Sequence, residues 1–67
     1  MQLLEKLARN LKVAREKKGL SQEELAYRAD ISIYYISKIE RAKANPSLDV
    51  MFRISKVLNC TIDELIR

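Results

Sequence analysis

The chain has 67 residues and a formal net charge of +4 at pH 7, from 13 Lys and Arg against 9 Asp and Glu. This length predicts one domain over residues 1–67, and an apolar content of 48% is too high for a disordered segment. A structural zinc site is excluded, because it needs about four Cys or His ligands and the chain has one cysteine and no histidine.

The first predicted helix spans residues 3–18. It ends before Gly19, the only glycine, which readily takes the left-handed conformation that follows a helix. Its apolar residues recur at spacings of three and four, so one face is expected to pack into the core. That face contains Leu4, Leu7, Ala8, Leu11, Ala14 and Arg15.

A capping box predicts the start of the second helix, over residues 22–29. Ser21 and Glu24 have the spacing at which a serine oxygen accepts one unpaired N–H and a glutamate accepts another. Leu20 and Leu25 flank the box at the spacing of a hydrophobic staple. The residues expected to point inward are Leu25, Ala26 and Ala29.

The third predicted helix spans residues 33–41 and follows the second after a very short turn. Ser32 is its N-cap, and only Asp30 and Ile31 separate it from the second helix. A turn this short forces a large angle between the helices and leaves one side of the third exposed. Its expected core residues are Ile36 and Ile39.

Two further helices complete the predicted fold. Ser47 caps a fourth helix over residues 48–58, and Asn59 suits the left-handed residue after it. Thr61 and Glu64 form a second capping box, at the entry to a fifth helix. Their expected core residues are Leu48, Met51, Ile54, Val57 and Leu58, then Ile62, Leu65 and Ile66. No run alternates as a β-strand does, so the class is all-α with five helices.

The chain resembles the phage-repressor/Cro-like, or XRE-type, helix-turn-helix proteins from about residue 7 to residue 66. The matching residues are Arg15, Gly19-Leu20-Ser21-Gln22, Glu24-Leu25-Ala26, Ile31-Ser32, Tyr35-Ile36-Ser37, Ile39-Glu40, Asn45-Pro46-Ser47-Leu48 and Leu58. The resemblance implies a phage-repressor-like DNA-binding domain in which the second and third helices form the helix-turn-helix. The third helix would then enter the major groove.

Two positions depart from the family pattern. The family often has glycine in the turn, where this chain has Asp30, a residue that tolerates the left-handed conformation. It also often has glycine two residues after the matching glutamate, where this chain has Ala42. Either Ala42 takes a positive φ at a cost of about 1 kcal/mol, or the third helix runs slightly longer.

The family pattern implies a partly buried ion pair between Arg15 and Glu40, which would join the first helix to the third. The alternative is two unconnected surface charges. If the pair forms, it holds the third helix in place and does not touch DNA.

Base reading is expected from the exposed N-terminal half of the third helix. Lys38 can donate to guanine, Ile33 can pack on a thymine methyl group, and Tyr34 can do the same or bind a phosphate. Tyr34 could also be only a surface aromatic. The five candidates are Ser32, Ile33, Tyr34, Ser37 and Lys38.

Phosphate contacts are expected beside that surface. Such contacts supply affinity and salt dependence without sequence choice. The N-terminal N–H groups of the second helix can join one of them. The candidates are Gln22, Tyr35, Arg41, Lys43 and Asn45.

Proteins of this type usually pair on DNA, with half-sites about 34 Å apart. This sequence carries no appended oligomerisation domain, so a homodimer is expected to use the fifth helix. The interface candidates are Ile62, Leu65 and Ile66, which could alternatively only close the core.

These residues predict a sequence-specific transcriptional regulator, most simply a homodimeric repressor that binds a double-stranded operator and occludes a promoter. A close variant is the controller protein of a restriction–modification operon, to which residues 25–41 are similar. A phage or plasmid repressor or an antitoxin-like regulator fits nearly as well.

An alternative of another class is a protein-interaction or membrane-surface module that uses the basic, amphipathic first helix. Its leucines are, however, needed for the core. No catalytic histidine or glycine-rich phosphate loop is present, so an enzyme, a cofactor or a small-molecule ligand is not expected. Charges interrupt the first ten residues and no apolar run approaches ~20 residues, so we expect no signal peptide, no membrane span and a cytoplasmic location.

Overall fold

A computed structural model describes residues 2–67 of the protein, which form five helices and no strand. The helices are α1 (Leu3–Lys17), α2 (Gln22–Ala29), α3 (Ile33–Glu40), α4 (Leu48–Leu58) and α5 (Ile62–Ile66). The all-α, five-helix class predicted from the sequence is therefore confirmed. Two predicted ends were one residue too long, because Lys18 and Arg41 are the C-cap residues of α1 and α3.

The helix starts follow the predicted caps. The Ser21 hydroxyl accepts the Glu24 N–H at 3.0 Å, and Glu24 Oε1 accepts the Ser21 N–H at 2.8 Å. Thr61 and Glu64 make the same two bonds at the start of α5. These bonds to the ionised carboxylates lower the pKa values of Glu24 and Glu64, so both caps are complete at neutral pH.

The first four helices end in the same backbone motif. Gly19, Asp30, Ala42 and Asn59 each have a φ between 55° and 73°, and the N–H of the following residue reaches back to the carbonyl five residues earlier at 2.8–3.1 Å. This is the Schellman arrangement, which satisfies carbonyls at the end of a helix. Ala42 thus takes the left-handed conformation, and α3 does not run on through it.

The cap of α3 differs from the other three. At the end of α1, α2 and α4 the residue after the left-handed position is apolar and packs against the core: Leu20, Ile31 and Cys60. At the end of α3 it is Lys43, which is exposed. The left-handed residue there is alanine, whose Cβ is strained in this conformation and which has no polar side chain to bond the backbone.

The core lies between α1, α2, α3 and α4 and is closed by α5. Its buried members are Leu7, Leu11, Leu20, Leu25, Ala26, Ala29, Ile36, Ile39, Met51, Ile54, Leu58 and Leu65. Ala26 is buried on α2, as its predicted inward position requires. The core therefore holds the α2–α3 pair through the buried side of each helix.

Leu48 was wrongly predicted as a core residue. It is 73% exposed, because it is the first residue of α4 and lies at the edge of an open groove that no helix covers. Leu4, Ala14 and Val57 are only half-buried at the margin of the core.

We expect Ala42→Gly to raise the free energy of unfolding by about 0.5–1 kcal/mol, because glycine removes the strain of the left-handed position. Thermal or urea denaturation measures this change. Ala44→Gly is the matched control and should destabilise the protein, since Ala44 packs against the core and has no positive φ. Equal effects of the two substitutions would contradict the prediction.

Candidate functional site

The two sides of α3 have opposite environments. Ile36 and Ile39 are fully buried, whereas Ile33 is 48% exposed and Tyr34 is 65% exposed. Ser32 is also exposed, and its hydroxyl accepts the Tyr35 N–H at 3.1 Å. α3 therefore presents its N-terminal half to solvent while its opposite side is held in the core.

Two further base-reading candidates, Ser37 and Lys38, lie half-buried on the same helix. The Lys38 ammonium lies 5.4 Å from the centre of the Tyr34 ring, within the range of a cation–π contact. Sequence spacing places the two residues one turn apart but does not reveal this contact.

The structure contains the predicted contact between Arg15 and Glu40. Arg15 Nε donates to Glu40 Oε2 at 2.6 Å, and Arg15 Nη2 donates to Glu40 Oε1 at 3.1 Å. The side chains are only 10% and 4% exposed. The hydrogen bond to Glu40 raises the pKa of Arg15 above its ordinary value, so the guanidinium stays charged.

Two more bonds extend this pair. Arg15 Nη1 donates to the Leu20 carbonyl at 2.7 Å, and Gln22 Nε2 donates to Glu40 Oε1 at 3.0 Å. The Gln22 amide, predicted to face a phosphate, is thus engaged inside the protein through one of its N–H groups. The network joins the end of α1, the entry of α2 and the end of α3.

A second guanidinium supports the corner between α2 and α3, and sequence analysis missed it. Arg53 Nη1, from α4, donates to the carbonyls of Asp30 at 2.9 Å and Ala29 at 3.3 Å, and Nη2 pairs with Asp49 at 3.1 Å. The spacing of Asp49 and Arg53 signals only an ion pair within α4. The bond to the corner depends on the packing of α4 against α2.

The remaining phosphate candidates surround the exposed side of α3. Arg41, Lys43 and Asn45 are exposed on the segment after the helix, and Arg41 Nε donates to the Ser37 carbonyl at 3.3 Å. Tyr35 is half-buried and packs against the core. The charge of Glu40 is balanced by Arg15 and does not offset Lys38, whereas Arg41 and Lys43 line a depression that also contains Glu5 of α1.

An apolar groove of about 270 Å³ opens elsewhere on the protein, between α1, α4 and α5. Its lining residues are Leu3, Leu4, Leu7, Asn45, Pro46, Leu48, Met51, Ile62 and Ile66. Two of the predicted interface residues, Ile62 and Ile66, are therefore accessible from it.

Leu65 was wrongly predicted as the third interface residue, and it closes the core as the alternative for this residue stated. It is only 2% exposed, because it points into the core that α5 closes. A buried side chain adds no area to an interface with another molecule. α5 is held in place by Asn10, whose amide donates to the Leu65 carbonyl at 3.1 Å.

Within residues 2–67, no helix is long and apolar enough to cross a membrane. The same residues contain no cluster of three or more Cys, Asp or Glu side chains that could hold a metal ion.

Residues 11–65 match the helix-turn-helix family HTH_3. The chain is 33% identical over 61 residues to the HTH-type transcriptional regulator DdrOP3 of Deinococcus deserti, an alignment that covers 91% of this chain and 47% of that protein. It is 44% identical over 50 residues to the control protein C.BamHI of Bacillus amyloliquefaciens, covering 75% of this chain and 62% of that one. The chain thus spans less than two thirds of either relative.

The fold is also similar to a solved structure of comparable length. The restriction–modification controller protein C.AhdI of Aeromonas hydrophila superposes with a TM-score of 0.89 and 34% sequence identity. The superposition covers 92% of this chain and 94% of that chain.

We expect Arg15→Ala to lower the free energy of unfolding by about 3 kcal/mol, because it leaves the buried Glu40 carboxylate without its partner. Urea denaturation measures the loss. Arg67→Ala is the matched control: it removes an ion pair whose two side chains are each 72% exposed, and it should change stability by less than about 0.5 kcal/mol. A loss no greater than that of the control would contradict the prediction.

Proposed function

This chain belongs to the helix-turn-helix family HTH_3, and we propose that it is a sequence-specific regulator of transcription that binds double-stranded DNA through α3. The observation that carries this proposal is the division of α3 into a side buried in the core and an exposed side beside which the ammonium of Lys38 lies. A helix held in this way can lie in the major groove, which admits an α-helix and displays a distinct pattern of donors and acceptors for each base pair.

The exposed half of α3 supplies the base contacts in this proposal. The Lys38 ammonium donates to guanine O6 or N7, and Ile33 packs against a thymine methyl group. Ser32 and Ser37 are short and let the helix approach the base edges closely. None of these side chains is Arg, Asn or Gln, so sequence-dependent shape adds to the preference.

The surrounding groups bind the phosphates. Arg41, Lys43 and Asn45 lie on the segment after α3, and the hydroxyl of the half-buried Tyr35 adds a further phosphate contact. Gln22 retains a second amide N–H, which together with the N-terminal N–H groups of α2 binds a phosphate while the first N–H stays on Glu40. These contacts set the register of α3 on the duplex.

We also propose that the protein binds as a homodimer through the apolar groove and the rim formed by Ile62, Ile66 and Leu48. One helix-turn-helix reads only a few base pairs, so a dimer with half-sites about 34 Å apart gives a longer, palindromic operator. Leu48 is exposed at the edge of the groove, so the leucine of one copy can insert into the groove of the other.

The simplest outcome of such binding is repression, because the bound protein occupies a promoter. This would take place in the cytoplasm, on chromosomal or plasmid DNA. A second candidate is the controller role in a restriction–modification operon, in which one protein both activates and represses. The similarity to C.AhdI over nearly the full length of both chains favours this candidate.

Selection of duplexes from a random pool tests the proposed function. We expect a symmetric consensus, with affinity that falls steeply with salt, since each neutralised phosphate contributes about −0.9 to the slope of log K against log[salt]. Arg41→Ala should reduce that slope by about 1 and leave the consensus unchanged. Lys56→Ala, an exposed cation on α4, is the control and should leave the slope unchanged. A protein that selects no sequence, or one that binds vesicles even at high salt and does not bind DNA at low salt, would refute the proposal.

Sedimentation tests the dimer at tens of micromolar protein, with and without the selected duplex. Leu48→Glu should convert the dimer to a monomer without unfolding it, because the side chain is already exposed. Tyr27→Glu is the control, because it replaces an exposed aromatic side chain outside the groove. This variant should still sediment with the mass of a dimer. A monomeric wild-type mass, free and on DNA, would contradict this part of the proposal.

A further inference from the structure

Tyr34 and Lys38 form an aromatic–cation pair on the exposed side of α3. The ammonium lies 5.4 Å from the ring centre, one helical turn away. The Tyr34 side chain is 65% exposed, and Lys38 is half-buried. Lys38 takes part in none of the ion pairs found among residues 2–67, so the ring is the group that orients its charge.

The nearby carboxylate does not compete for this ammonium. Glu40 uses both of its oxygens for Arg15 and one of them also for Gln22, inside the protein. The ring face carries the negative part of the aromatic quadrupole and attracts a cation without neutralising it. The charge of Lys38 therefore remains available to a ligand while its position is restricted.

A free lysine loses about 2 kcal/mol of rotamer entropy when it is fixed on a ligand. A lysine already held against a ring loses less of that freedom on binding, which is the general advantage of preorganisation. The ring also covers one side of the ammonium group, so the N–H groups on its other side remain available to a ligand.

We propose that Tyr34 is a positioning residue that sets Lys38 to read guanine, and that it acts through its ring and not through its hydroxyl. This inference rests on the proposed function, since it needs α3 in the major groove. It assigns Tyr34 a part in sequence preference without a base contact of its own.

Two substitutions separate the ring from the hydroxyl. Tyr34→Phe keeps the ring face and removes the hydroxyl, whereas Tyr34→Leu removes both and keeps an apolar side chain that can still pack on a thymine methyl group. Both act at an exposed position, so the melting temperature should stay close to that of the wild type. Phe52→Leu is the matched control, because Phe52 forms the same kind of pair with Lys56 on α4 at 5.8 Å.

The guanine is identified first. The wild-type protein selects its duplex, and the base pair whose preference disappears in Lys38→Met is the one that Lys38 reads. Affinity is then measured for the selected duplex and for a duplex in which an A·T pair replaces that G·C pair, which exchanges the O6 acceptor for an N6–H₂ donor. The ratio of the two dissociation constants is the guanine preference.

We expect Tyr34→Phe to keep the wild-type guanine preference and Tyr34→Leu to lower it about two- to fivefold, the range of an exposed cation–π contact. The salt dependence of binding should not change in either variant, because Lys38 contacts a base. Tyr34→Leu should have no further effect in the Lys38→Met background, and Phe52→Leu should have none at all.

Three results would overturn the inference. In the first, Tyr34→Leu keeps the full preference. In the second, Tyr34→Phe and Tyr34→Leu lose affinity equally for both duplexes, which assigns the hydroxyl to a phosphate. In the third, Lys38→Met keeps every base preference. These three are distinct from a failure of the proposed function, in which the wild-type chain selects no duplex at all.

Discussion

The bond between Arg15 and Glu40 is the contact on which the rest of the structure depends. Two ions are withdrawn from water almost completely, which is favourable only when their hydrogen-bonding capacity is used. The guanidinium meets this condition through two bonds to the carboxylate and one to the Leu20 carbonyl. A lysine could not replace it, since an ammonium cannot form the paired, planar contact. The end of α3 is thereby fixed to α1 and to the entry of α2.

This internal neutralisation also shapes the outer surface. Glu40 is the only acidic residue between Ile31 and Asp49, and its charge is consumed inside the protein. The cations of the same segment are consequently not offset by Glu40, and Glu5 of α1 is the carboxylate that lines a depression with Arg41 and Lys43. One buried contact thus holds the end of α3 and also removes the negative charge of Glu40 from the outer surface. Arg53 supports the opposite end, at the corner that precedes α3.

Local sequence patterns predicted the helices well, because capping depends on residues only a few positions apart. Ser21 with Glu24 and Thr61 with Glu64 form the boxes that their spacing indicates. Helical periodicity was less informative at the edges of the core. It assigned both Leu48 and Leu65 to the interior, and only Leu65 is buried there, whereas Leu48 is exposed. Periodicity identifies a face of a helix, but it does not indicate which part of that face another helix covers.

Two kinds of contact were beyond sequence reasoning from the residues alone. The Arg53 bond to the corner joins distant parts of the chain and depends on how the helices pack. The Tyr34–Lys38 contact is local but depends on the rotamers of the two side chains. The ion pair of Arg15 with Glu40 was accessible only through the family pattern, because 25 residues separate its members. Ala42 left two conformations open, and its backbone bonds select the left-handed one.

The unequal helix caps have a consequence for local motion. Three of the four left-handed caps are anchored by an apolar side chain in the core, while the cap after α3 has a solvated lysine instead. Of these four caps, the one after α3 therefore loses the fewest buried contacts when it opens. The cap that follows Glu40 can open while the ion pair of Glu40 with Arg15 keeps the end of α3 in place. The cationic segment from Arg41 to Asn45 is thus able to adapt to a curved or irregular polyanion without loss of the tertiary structure.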